Sequence, residues 1–381
     1  MLRCNILTIF LAFSLLAGAQ DWKVVREHPQ KAFPKTVAAG NYSGIAHLHD
    51  DIYAVVSDKS DSALYFNFRI QVNPKTGELE QVENLGFTER TDGTLNDAKP
   101  WQGQEKGFDH EAIVKVSDST LVIASEGYCR LKEYPILPTS ADAAKVDYQQ
   151  NLWESRWASS DFYPNYNFES LAFDSVRQYL WTIPESTLRK DGQPATPQNG
   201  LANQLRLMRL DWGKIKENRN KEEYSEQVSS KKDPRYMTTY AYQMDQPSIH
   251  KKADIYVMGV SELCALPDGQ LLVLEREAFI PKIKIGAFCK CKLYLVNPLN
   301  SENFSMKENI SSDTPFLKKK LLAEWKTGLS LSKRSFANYE GMCLGPKLED
   351  GSQVVILLSD SQDQYAGVLK DWFKTIVIRK E

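Results

Sequence analysis

The sequence returns five times to one pattern, and that repetition constrains the fold more than any single motif does. Each unit opens on a small or acidic residue and runs through a short alternating strand. It then turns, continues through a second apolar strand and ends on an acid. The units read SGIAHLHDDIYAVVSD from Ser43, EAIVKVSDSTLVIASE from Glu111, ESLAFDSVRQYLWTIPE from Glu169, ELCALPDGQLLVLE from Glu262 and EGMCLGPKLEDGSQVVILLSD from Glu340. The turns carry Asp, Gly or Ser, as tight hairpins require. Runs such as LVIAS, YLWTI and VVILLS are apolar without alternation, which predicts strands buried on both faces. Third strands follow at LYFNFRIQV, RLKEYPI, LRLMRLDW, KLYLVNP and FKTIVIRK, and fourth-strand candidates at ELEQVENLGF, TTYAYQM and KLLAEWK. The last unit lacks a fourth strand, and DWKVVREHP, far away in sequence, can supply it.

This pattern predicts an all-β protein, a single β-propeller of five blades by repeat count, closed by strands from the N- and C-termini. Closure removes the edges that a linear array would expose. Six blades follow instead if residues 134–167 hide a degenerate unit. A two-domain all-β sandwich is the rival, but it needs no acid recurring at fixed hairpin positions. A chain of 381 residues fits one propeller. With 47 Lys+Arg against 49 Asp+Glu the formal charge is −2, which argues against a nucleic-acid partner.

The first 19 residues, MLRCNILTIFLAFSLLAGA, combine a basic start at Arg3, an apolar stretch and a small-x-small site at Ala17-Gly18-Ala19. They read as a signal peptide cut after Ala19, leaving residues 20–381 as the propeller domain, secreted or periplasmic. No later stretch is apolar and long enough to span a bilayer, and a monomer is expected. Cys129, Cys264, Cys289, Cys291 and Cys343 remain. Cys289-x-Cys291 is too tightly spaced for a zinc knuckle, Cys264 and Cys343 sit in apolar runs, and no disulfide is assigned.

In an antiparallel hairpin the start of the first strand lies beside the end of the second. The repeat therefore pairs Glu111 with Glu126, Glu169 with Glu185, Glu262 with Glu275, Glu340 with Asp360, and Ser43 with Asp58. Innermost strands of a propeller line its channel, so these carboxylates are expected around one mouth. Crowded acids in a partly dry site raise each other's pKa. A hard divalent cation, Ca2+ first, offsets that repulsion, which makes Glu111, Glu126, Glu185, Glu275, Glu340 and Asp360 candidate ligands. The competing reading is that each acid only fixes a turn of its own blade. Arg276 follows Glu275, and strand alternation puts the two on opposite faces. It is either an anion clamp near the metal or a tie between blades. His110 is a candidate base or ligand, and His47 with His49 resembles an incomplete metal pair. The basic runs KIKIGAFCKCK and LKKKL attract anions or form solvated loops. The GxSxG, P-loop, GxGxxG and HExxH motifs are absent.

DHEAIV…LVIASE, NFESLAF, GVSELCALPDGQLLVLER, KLYLVNP and NYEGMCLGP…ILLSD together resemble the phytase-like family named for the esterase-like activity of phytase. The resemblance covers residues 41–360, with an insert at residues 282–291. It implies an exported propeller with ester or phosphoester hydrolase activity on a small-molecule substrate. In that reading Ca2+ neutralises substrate charge and orients a water, Glu169 or Glu262 acts as general base, and Arg276 holds the developing negative charge. The alternatives are a non-catalytic ligand-binding propeller and a scaffolding propeller stabilised by calcium. A binding module would expose aromatics at the mouth, with Trp153, Trp157, Tyr163 and Tyr166 as candidates.

Overall fold

The computed structural model describes residues 21–60, 64–88, 95–96, 109–136, 153–219, 236–330, 334–361 and 369–381. Residues 1–19, read from the sequence as a signal peptide, lie outside the described residues. The chain is 53% strand and 5% helix, arranged as five small sheets in a ring, a five-bladed propeller. Blade 1 comprises Tyr42–His49, Ile52–Ser57, Phe66–Val72 and Leu79–Asn84, from the channel outward. Blade 2 comprises His110–Lys115, Thr120–Ser125, Arg130–Pro135 and Glu154–Arg156. Blade 3 comprises Phe168–Asp174, Tyr179–Pro184, Gln204–Asp211 and Met237–Gln243. Blade 4 comprises Ile255–Ala265, Leu271–Ile280, Phe288–Val296 and Lys319–Gly328. Blade 5 comprises Asn338–Lys347, Gln353–Asp360, Trp372–Lys380 and, outermost, Trp22–Glu27.

The ring closes as the unpaired last unit requires. Trp22–Glu27 runs antiparallel to Trp372–Lys380, with Trp22 opposite Lys380 and Glu27 opposite Ile376. Asp21 and Glu381 exchange backbone hydrogen bonds of 2.7 and 3.0 Å. The sixth-blade alternative falls on residues 134–167. Their described part supplies Glu154–Arg156, the short fourth strand of blade 2.

The apolar second strands are buried on both faces, as their composition dictates. All eight residues of Gln353–Asp360 are buried, as are five of six in Tyr179–Pro184. The core is divided into five clusters, one between each pair of neighbouring blades. Phe66, Phe68, Ile356 and Phe373 fill the gap between blades 5 and 1, and Trp181, Tyr242, Leu263 and Val273 fill that between blades 3 and 4. Each fully buried side chain of this size contributes roughly 1.5–3 kcal/mol. Cys129, Cys264, Cys289, Cys291 and Cys343, the cysteines among the described residues, are all buried free thiols.

Two features depart from the sequence reading. LKKKL is not a solvated loop, because Lys319 and Lys320 begin the fourth strand of blade 4. The insert at residues 282–291 divides into a turn and the first residues of the third strand. Blade 4 consequently has the longest inner hairpin, with strands of 11 and 10 residues.

Candidate active site at the channel mouth

Five hairpins carry one residue of each second strand to the same level. The Asp58 N–H donates to Asn41 O (3.3 Å), Glu126 to Asp109 O (2.9 Å) and Glu185 to Asn167 O (2.8 Å). Arg276 lies opposite Gly259, and Asp360 opposite Asn338. Just inside this level the inner strands bulge. The register break takes up Glu111 in blade 2, Glu169 in blade 3, Ser261 in blade 4 and Glu340 in blade 5, with Ser43 and Gly44 in blade 1. A bulge re-aims a side chain that pleating would send elsewhere, and here it gathers the glutamates at the mouth.

The register moves blade 4 by one residue relative to the sequence alignment. Arg276, not Glu275, is the counterpart of Asp58, Glu126, Glu185 and Asp360. Ser261, not Glu262, is the counterpart of Glu111, Glu169 and Glu340. Glu275 therefore faces away from the mouth, where Tyr242 Oη (2.6 Å) and Lys319 Nζ (2.7 Å) donate to it. That geometry separates it from the other acids expected as metal ligands. Glu262 lies one residue further along the strand. Its Oε1 accepts the backbone N–H groups of Leu171 and Leu263, both at 2.9 Å. Burial pushes its pKa well up, against the pull of those amides.

Arg276 reaches into the mouth and joins three blades. Its Nη2 donates to Glu169 Oε2 and Glu185 Oε1, both at 2.8 Å, and its Nη1 donates to Glu340 Oε1. Asn338 Nδ2 also donates to Glu340 Oε1 (2.7 Å). Burial pushes Glu169 and Glu340 up, and the guanidinium pulls both back. Burial also works against the Arg276 charge, but Glu169, Glu340 and Glu185 hold its pKa well above the ordinary value. Gly259 makes this approach feasible, since a Cβ there would lie 2.4 Å from Glu185 Cγ.

The blade 2 side of the mouth is different. Asp109, Glu111 and Glu126 each present a carboxylate oxygen, and these lie within 4.8 Å of one another. Ser43 Oγ donates to Glu111 Oε2 (2.9 Å), and the Asn167 N–H to Glu126 Oε1 (3.3 Å). Burial raises Glu111 well above the usual carboxyl range, helped by the charges of Asp58, Glu340, Glu126 and Asp109. Burial, then Asp109 and Glu185, raises Glu126 to about 7. Oxygen-only donors of this kind suit a hard cation such as Ca2+.

Other candidates fall elsewhere. His110 is buried and its Nδ1 faces Leu64 O at 3.3 Å. His47 and His49 both engage Asp50 at an exposed turn. Trp153 and Trp157 are core residues between blades 2 and 3. Tyr163 Oη donates to Gly192 O (2.8 Å). Tyr166 does belong to the mouth, and burial and the nearby Glu185 raise it to about 12.

Sequence reasoning missed Asp109, the shift in blade 4 and the bulges. A signal was present: the tetrapeptides NYSG, DHEA, NFES, GVSE and NYEG align with Ser261 in the third place. VVSD, IASE, TIPE, VLER and LLSD align with Arg276 in the last.

A family model described as Phytase-like: Esterase-like activity of phytase matches residues 37–362. No curated protein sequence matches the chain. Among solved structures the chain is similar to regucalcin, a calcium-binding protein from Agrobacterium tumefaciens. That pair has 12% identity and a TM-score of 0.38, covering 93% of this chain and 96% of that one. It is also similar to a streptogramin B lyase, at 8% identity and a TM-score of 0.32, covering 93% and 98%. Likenesses this distant carry no argument about chemistry.

Proposed function

Since the chain belongs to the phytase-like family of the esterase-like activity of phytase, we propose that it is an exported, divalent-cation-dependent hydrolase of a small ester or phosphoester. The observation that carries this reading is the cluster of Asp109, Glu111 and Glu126 beside the Arg276 group. The fit to a cation rests on the donor set, which is entirely carboxylate oxygen, and on Glu185 Oε2, buried at the same mouth without a hydrogen-bond partner among the described residues. Asp109, Glu111 and Glu126 would hold the ion, Ca2+ first. When bound it supplies Lewis acidity and a lower pKa for a coordinated water.

The chain's own groups divide the remaining work. Arg276 binds Glu169, Glu185 and Glu340, and its charge opposes, without overcoming, the burial that raises Glu169 and Glu340. Its Nη1 and Nη2 groups already serve these carboxylates, and Nε is buried without a partner among the described residues, so it acts on substrate through its field and through their positions. Glu169, bound to Arg276 through Oε2, is the proposed proton acceptor for the attacking water, at Oε1. Tyr166, protonated at neutral pH, is a hydrogen-bond donor for an anionic substrate. Glu262 is tied to strand amides and supports the inner strands instead. Glu126, Glu185 and Asp360 complete the negative rim.

The test is a screen of the purified chain against phosphomonoester, phosphodiester and acyl-ester substrates, with calcium and with a chelator. Turnover that needs calcium and is lost in Glu111→Gln and Glu169→Gln supports the proposal. A calcium-dependent rise in melting temperature without turnover on any class would favour the ligand-binding or scaffolding propeller.

A further inference from the structure

The second and third strands of blade 4 meet in a turn, residues 281–287, beside the start of the first strand at Ile255, and the mouth chemistry does not use that surface. From the Gly259–Arg276 pair the first and second strands continue to Ile255 opposite Ile280. Four residues at about 3.3 Å each lift the tip about 13 Å beyond the mouth. The turn is built firmly. The Lys284 N–H donates to Pro281 O (2.8 Å), Ala287 to Lys284 O (3.1 Å), Gly286 to Leu329 O (2.8 Å) and Leu329 to Ala287 O (2.9 Å). Lys284 Nζ pairs with Asp254 at 2.9 Å. The turn nevertheless leaves its apolar side chains in water: Ile283 is 75% exposed, Ile285 48% and Ile255 49%. Beside them an apolar groove of about 160 Å³ runs between Ile280, Leu329, Phe336 and Leu369. Lys282 lies in the turn and Lys251 and Lys252 just before Ile255, all three exposed and without an ion pair among the described residues.

An ordered turn that holds isoleucines outward, with lysines near them in the chain, is an interaction surface and not a packing accident. The two chemistries together fit one partner: we propose that this tip docks the protein on an anionic phospholipid surface. Apolar side chains enter the acyl boundary while lysines meet phosphate headgroups, and the two effects add. The acidic mouth does not cancel the attraction, because about 13 Å exceeds the Debye length of about 8 Å at physiological salt. Docking by this tip turns the mouth toward the bilayer.

The test is flotation of the chain lacking residues 1–19 with phosphatidylcholine vesicles, with and without phosphatidylglycerol. Binding is expected to the anionic vesicles, and to weaken steeply near 1 M salt, where the Debye length is about 3 Å. Ile283→Ser with Ile285→Ser should weaken it about tenfold or more. Each Lys→Gln change at 251, 252 or 282 should cost about fivefold. All these side chains are exposed, so the variants should keep the wild-type melting temperature. No binding to anionic vesicles overturns the proposal, as does equal binding by the isoleucine variant. A wild-type dimer that the isoleucine variant dissolves would assign the tip to a second copy of the chain and also overturn it.

Discussion

Blades 2 and 4 occupy equivalent places in the ring, yet their hairpins meet the mouth with opposite charge. Glu126 directly follows the second strand of blade 2, and Arg276 holds the corresponding position in blade 4. On the Arg276 side three glutamates share a buried guanidinium, so their charge is answered within the chain. On the blade 2 side Asp109, Glu111 and Glu126 face each other. The scaffold is common to both, and one residue decides whether the hairpin brings a positive or a negative group to the mouth. Asp371 gives a third answer. It is a single buried acid raised to about 7 chiefly by burial, and it stays largely protonated below that pH.

The largest test of this contrast removes the internal cation. Arg276→Gln strands three buried carboxylates, and breaking a buried ion pair costs about 3–5 kcal/mol. Urea denaturation in chelator should register that loss, and calcium should restore more stability to the variant than to the wild type. A loss below about 1 kcal/mol would mean that these contacts are worth no more than surface ion pairs. The next effect concerns the blade 2 side. Calcium at about a hundredfold excess over its Kd should stabilise the wild type by about 2.7 kcal/mol. Glu111→Gln and Glu126→Gln should abolish the response, and Glu275→Gln should leave it intact. A response that survives in Glu111→Gln would move the ion away from this cluster.

A smaller effect tests the close approach itself. Gly259→Ala puts a methyl group against Glu185 and should cost about 1–3 kcal/mol, as overpacking does. Its calcium response should stay normal, because the blade 2 cluster is untouched. The smallest effect is that of Asp371. A carboxyl raised in the folded state stabilises most fully below its unfolded pKa, and loses that contribution as pH rises through its folded value. Between pH about 4 and about 7 the wild type should therefore lose stability that Asp371→Asn keeps. Parallel pH profiles of the two melting temperatures would contradict this.

The repeat made much of the architecture legible. Alternating and continuous apolar runs announced hairpins buried on both faces, and their number gave the blades. The orphan FKTIVIRK announced that DWKVVRE must close the ring, and Trp22 does lie opposite Lys380. The site was legible only in outline. Glu111, Glu169, Glu185 and Glu340 meet as their repeat positions imply, but Glu262 and Glu275 do not join them, and Arg276 stands where the repeat had put Glu275. Aligning units on their glutamates assumes an unbroken two-residue period, and each inner strand breaks it with a bulge.

What the sequence by itself determined is the set of strands, their order and the closing pair, because hydrophobic periodicity and turn chemistry are local properties. Which way each charge points was decided in three dimensions. A side chain's face depends on register, register in this ring depends on where a bulge is absorbed, and the bulges settle only when five blades pack against one another. The same packing brought Arg276 against carboxylates 64 to 107 residues away in the chain. It also set Asp109, Glu111 and Glu126 close together on the blade 2 side, because only packing across the ring decides which carboxylates become neighbours.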